Sequence, residues 1–86
     1  MNEIVFKILQ KHNSNPDYSV EKAQKEEIVA QVLGLDSITF TTLIIDLELG
    51  LDIQFLDANI YSRWLTFEEL FKEIEKARLV KDKNDC

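Results

Sequence analysis

Apolar residues recur at three- and four-residue steps over three stretches of the chain, a spacing that predicts helices. In residues 3–12, Ile4, Val5, Ile8 and Leu9 form one stripe while Lys7, Gln10 and Lys11 face out. Asn2 suits the N-cap, Glu3 the positive end of the helix dipole, and His12 a helix-end role at the negative one. In residues 37–49, Phe40, Leu43, Leu47 and Leu51 repeat with Ile44 beside them. Asp36 and Ser37 are both suited to its N-cap, and Gly50 fits its C-cap. In the third stretch, Phe67, Leu70, Phe71 and Ile74 follow Thr66 and Glu69, which stand at capping-box spacing.

The intervening segments read differently. Residues 13–19 are a turn cluster rich in Asn and Ser. A calcium loop is excluded there. A twelve-residue loop begun at Asn13 puts Tyr18 where glycine is required and Gln24 where a bidentate Glu is required, and one begun at Asn15 puts Val20 at the glycine position. Residues 20–33 carry a charged patch and then Ile28, Val29, Val32 and Leu33, either a short helix or an apolar clamp across the core, ending at Gly34. Residues 57–63 read as a short third helix or a turn, and residues 80–86 as a frayed polar tail ending in a solvated Cys86. The expected fold is all-α: a small four-helix bundle with a short third helix and a long loop between helices 1 and 2, formed by a single domain over residues 1–79 with the tail 80–86.

Composition narrows the function classes. With 86 residues, 45% hydrophobic and 30% charged, the chain has the balance of one small globular domain. Two glycines and one proline are too few for a turn-rich all-β fold. No apolar run reaches the roughly 18 residues of a membrane span, so no membrane insertion is expected. The first residues lack the pattern of a signal peptide, which makes a cytoplasmic location the expectation. The single cysteine excludes an internal disulfide and supplies no metal cluster. A net charge of -6 argues against nucleic acid as partner.

The charge map adds more. Between Lys25 and Arg63 there is no Lys or Arg, while Glu26, Glu27, Asp36, Asp46, Glu48, Asp52 and Asp57 lie in that interval. Such a field is either a solvated face or a surface that steers basic partners. Ile38, Thr41 and Ile45 fall off the core stripe of their helix, as expected of a contact site or of a wide buried face.

No catalytic constellation is visible: one His, one Cys and no glycine-rich phosphate loop, so no enzyme is expected. The informative segment is Gly34-Leu35-Asp36-Ser37-Ile38. It presents a serine at the start of a helix, where anions are favoured by the dipole and by backbone N–H groups. Ser37 is then either an ordinary N-cap or an exposed hydroxyl open to modification with a phosphate ester.

Gly-Leu-Asp-Ser-Ile opening an amphipathic helix resembles the modification site of acyl carrier proteins and of carrier domains in polyketide and nonribosomal peptide synthases. The resemblance runs from Gly34 to about Ile74, with Leu43, Leu47 and Leu51 at core positions of the family's second helix. It implies that a phosphopantetheinyl transferase moves 4'-phosphopantetheine from coenzyme A onto Ser37, with Asp36 helping to present the site. It implies a partner surface of Ile38, Thr41 and Ile45 with the acids Asp46, Glu48, Asp52 and Asp57. The implied partners, besides the transferase, are acyl- or aminoacyl-loading enzymes and downstream synthases with basic docking surfaces, visited by a monomeric carrier. Trp64-Leu65-Thr66 is similar to the Trp-x-Thr of D-alanyl and some other aminoacyl carriers, so the implied cargo is acyl or, alternatively, aminoacyl or peptidyl. Tyr61, Trp64 and Phe55 are core or edge aromatics, or shape a site for cargo. The remaining alternative is an unmodified acidic helical interaction module with Ser37 as a cap.

Overall fold

In α1 (Glu3–His12) the stripe that points inward is Val5 and Leu9, both buried; Ile8 is half-buried, and Ile4 stands 47% exposed. In α3 (Ser37–Leu51) Phe40, Leu43, Ile44 and Leu47 are buried, and this face packs against α1. The computed structural model describes residues 3–84. Its other helices are the four-residue α2 (Val29–Val32) and the long α4 (Phe67–Asn84), with 3-10 turns at Val20–Lys22 and Ile60–Ser62. The fold is all-α, a small helical bundle. Phe67, Leu70 and Ile74 of α4 complete a core that includes Leu9, Leu33, Leu43, Ile60 and Leu65. Among the described residues no helix is long and apolar enough to cross a membrane.

The long connection between α1 and α3 is held by hydrogen bonds, because its backbone has no helix ladder to use. Ser14 N donates to Leu33 O at 2.9 Å, and the Asn15 side chain donates to Val32 O at 3.1 Å, so the end of α1 is tied to the end of α2. Tyr18 Oη donates to Glu27 Oε1 at 2.9 Å. Residue 28 then pairs with residue 66 in an isolated antiparallel bridge, with Val29 N to Leu65 O at 2.9 Å and Phe67 N to Glu27 O at 3.0 Å. This bridge, which no periodicity announces, joins the two segments that lead into α2 and α4.

At the helix ends the structure selects one of two expected caps and departs from the sequence expectation in two places. Asp36 alone is the N-cap of α3, and Ser37 is its first helical residue. Gly50 lies inside α3, not at its cap; the C-cap is Asp52, in the left-handed region at φ 53°. Gly50 is instead a point of close approach, since a Cβ there would stand 2.7 Å from Ile8 Cδ1. Residues 80–84 continue α4, whereas the sequence predicts a frayed tail from residue 80. The helix continues because residues 68–83 contain no Gly or Pro and are mostly good helix formers. The expected caps and tail at Asn2 and Cys86 lie outside the described residues. The segment 57–63 forms the 3-10 turn at Ile60–Ser62, and the segment 20–33 ends in the short helix α2.

Gly34 takes φ +68° just after α2, and a Cβ there would meet nothing closer than 3.8 Å. The demand on this position is conformational and not steric. Gly34→Ala is expected to cost about 1 kcal/mol, read as a lower urea midpoint with unchanged slope, and Gly34→Asn less, because Asn tolerates the left-handed region.

Candidate functional site

The start of α3 is set by a reciprocal pair. Thr39 N donates to Asp36 Oδ1 at 2.8 Å, and Asp36 N donates back to Thr39 Oγ1 at 2.9 Å. Capping is therefore done by Asp36 with Thr39 as its partner, although the sequence suits Asp36 and Ser37 alike to that role. The Thr39 backbone N–H, and then its hydroxyl, hold the Asp36 carboxyl below its ordinary value. The anion at the positive end of α3 is thus Asp36 itself. Ser37, next in the chain, is exposed, and its hydroxyl has no hydrogen-bond partner among the described residues. Thr41 Oγ1 lies 2.8 Å from Ser37 O and 3.2 Å from Tyr61 O, which links the first turn of α3 to the 3-10 turn before α4.

An open groove of about 370 Å³ adjoins Ser37. Asp36, Ser37, Ile38 and Thr42 of the α3 start, Tyr61 and Ser62 of the 3-10 turn, and Trp64 line it. Trp64 is 62% exposed and so is no core residue, whereas Phe55 is buried. Tyr61 Oη donates to Glu48 Oε1 at 2.7 Å, and Phe55 N donates to Glu48 Oε2 at 3.0 Å. Glu48 thereby pins the segment that forms one wall of the groove to α3, and its hydrogen bond pushes the Tyr61 phenol above its ordinary value.

The residues expected to form a partner surface separate into two groups. Ile38 and Ile45 are exposed, at 75% and 43%, and Leu49 extends their strip at 75%. Leu49 was not among the expected residues, although its i+4 spacing from Ile45 marks it. Thr41 is half-buried and turned to Tyr61. The acids are largely engaged within the molecule. Asp46 Oδ2 lies 2.5 Å from His12 Nε2 and 3.5 Å from Lys11 Nζ. Asp57 pairs with Arg63, whose guanidinium also reaches Glu69 at 3.5 Å and Glu73 at 3.9 Å. Glu48 holds Tyr61 and Phe55 as described. Asp52 is exposed at the C-cap of α3. The interval without bases in the sequence is bordered in space by Lys11, His12 and Arg63, which α1 and the segment before α4 bring to it.

These pairings make stability depend on acid. The hydrogen bond from His12, then the Lys11 charge, hold the Asp46 carboxyl below its ordinary value, and Arg63 does the same for Asp57. A carboxyl depressed in the folded state stabilises the fold above its unfolded pKa and loses that contribution as pH falls through the folded one. The urea midpoint is expected to fall on acidification below about pH 5, and more shallowly in Asp46→Asn, in which one such group no longer titrates.

Comparison of the chain with protein-family models, with curated proteins and with solved structures gives no match.

Proposed function

We propose that this chain is a carrier protein that bears 4'-phosphopantetheine on Ser37 and delivers acyl intermediates to partner enzymes of fatty-acid or polyketide-type biosynthesis. The observation that carries this reading is the uncommitted Ser37 hydroxyl. A serine at the start of a helix is ordinarily spent on capping. Here Asp36 and Thr39 do that work, and Ser37 is left exposed beside a groove. The resemblance of Gly34-Leu35-Asp36-Ser37-Ile38 to carrier modification sites names the group that the hydroxyl takes.

The residues around Ser37 fit such a group. An ester at an exposed position leaves the phosphate hydrated, with no burial of its charge. Ser37 Oγ forms the new P–O bond to the pantetheine phosphate of coenzyme A; the diphosphate bridge breaks, adenosine 3',5'-bisphosphate leaves, and the hydroxyl proton passes to the transferase or solvent. The terminal thiol of the arm supplies the thioester chemistry. This chain's own residues present the serine, hold the fold and offer the apolar strip Ile38, Ile45 and Leu49 for brief docking. A tethered thioester has a high effective concentration at each enzyme visited. An aminoacyl cargo remains the second reading, carried by the resemblance of Trp64-Leu65-Thr66 to aminoacyl carriers.

Incubation of the protein with coenzyme A, magnesium and a broad-specificity phosphopantetheinyl transferase is expected to add one phosphopantetheine by intact mass, and none to Ser37→Ala. An unchanged wild-type mass with several transferases returns the chain to an unmodified interaction module.

A further inference from the structure

The outer face of α3 carries a repeat that packing inside the bundle does not use. Ile38, Thr42, Ile45 and Leu49 follow one another at steps of four, three and four residues, the spacing of a coiled-coil seam. Ile38 and Leu49 are each 75% exposed and Ile45 43%, and Thr42 is exposed beside them. The Thr42 hydroxyl donates to Ile38 O at 3.0 Å, so it is spent on its own helix, and its methyl group is left for the seam. No charged residue of α3 is exposed. Asp46, on the flank toward α1, is held by His12 and Lys11, and Glu48, on the other flank, accepts from Tyr61 and Phe55. A base on a partner therefore finds no uncommitted carboxylate within α3. In a chain of net charge -6, this is the face on which two like-charged molecules meet with least repulsion.

The seam also fits itself. Turned end for end about a two-fold axis, it sets Ile38 against Leu49 of a second copy, and Ile45 against Thr42 of that copy, so large and small side chains alternate across its middle. A parallel pairing instead stacks Thr42 on Thr42 and aligns the two helix dipoles in the same sense. From Ile38 to Leu49 the seam runs about 17 Å. A strip of that length and one helix wide falls short of the roughly 800 Å² per partner of a stable complex, so the pair is weak and forms at high concentration.

We infer that α3 is a self-association surface, on which two copies pair reversibly with their α3 helices antiparallel and Ile38, Thr42, Ile45 and Leu49 between them. The inference goes beyond the carrier reading and stands without it, since Ser37 lies about 100° round the helix from Ile38, outside the seam. On the carrier reading it adds a regulation: the paired protein hides the strip on which enzymes dock, and only single copies are served.

Sedimentation velocity of the unmodified protein from about 10 µM to about 1 mM is expected to show the mean mass rising from one chain toward two. Sodium chloride is expected to raise the dimer fraction, because it screens two acidic molecules from each other while no ion pair crosses the seam. Ile45→Glu is expected to stay monomeric throughout. Leu56→Glu, at an exposed leucine outside the seam, is expected to associate as the wild type does, and circular dichroism checks that both variants fold. In a Cys86→Ser background, Ile38→Cys and Leu49→Cys are expected to give an oxidised dimer when mixed and none when alone, because like positions lie about 17 Å apart along the antiparallel pair. A wild-type mass that stays at one chain overturns the inference, as does equal loss of association in Leu56→Glu. A dimer that dissociates in salt overturns the uncharged seam, and an oxidised dimer of Ile38→Cys alone overturns the antiparallel pairing. Each of these outcomes is independent of phosphopantetheine transfer, which intact mass reads separately.

Discussion

The reciprocal hydrogen bonds between Asp36 and Thr39 decide where α3 begins, and the site follows from that. With Asp36 outside the helix in extended geometry, Ser37 becomes the first helical residue, and the face that runs through Phe40, Leu43, Ile44 and Leu47 turns into the core. A start one residue later would leave that stripe in place, because the spacing of its members within the helix sets it. It would, however, return Ser37 to the cap and commit its hydroxyl. The same pair keeps a carboxylate ionised at the positive end of the helix, which fixes the sign of charge at the rim of the groove.

The groove owes its other wall to a connection with little regular structure. The segment between α3 and α4 is fastened to α3 by Glu48, through Tyr61 and Phe55, and by Thr41, through the Tyr61 carbonyl. Ile60 and Leu65 of this segment are buried, and Trp64, which lies between the two in the chain, is left on the surface. Arg63 is restrained by acids from its own segment and from α4, so it adds no positive charge beside Ser37. The acids that look in sequence like a field for basic partners do structural service first. Most of them face a neighbour within the molecule.

Much of this was legible in one dimension. Helical periodicity located α1, α3 and α4, and the Thr66–Glu69 spacing located the start of α4, because both depend on residues within a turn or two of each other. The Gly34–Ile38 motif singled out Ser37 for the same reason: a helix start is a local event. The end of α3 was misplaced at Gly50, since glycine there answers to Ile8 of another helix and not to the needs of a cap. The continuation of α4 past residue 80 is not legible in its polar character, which a frayed tail shares, but it follows from residues that are good helix formers.

The sequence by itself determined the three main helical stretches and that a serine stands at the start of α3. Only the tertiary structure decided that Asp46 and Glu48 are taken by partners from other segments, and that Trp64 and Ile38 share a groove with Ser37. The physical reason is distance along the chain. Helices are set by contacts three or four residues apart, whereas His12 meets Asp46, and Trp64 comes beside Ser37, only once the core has packed.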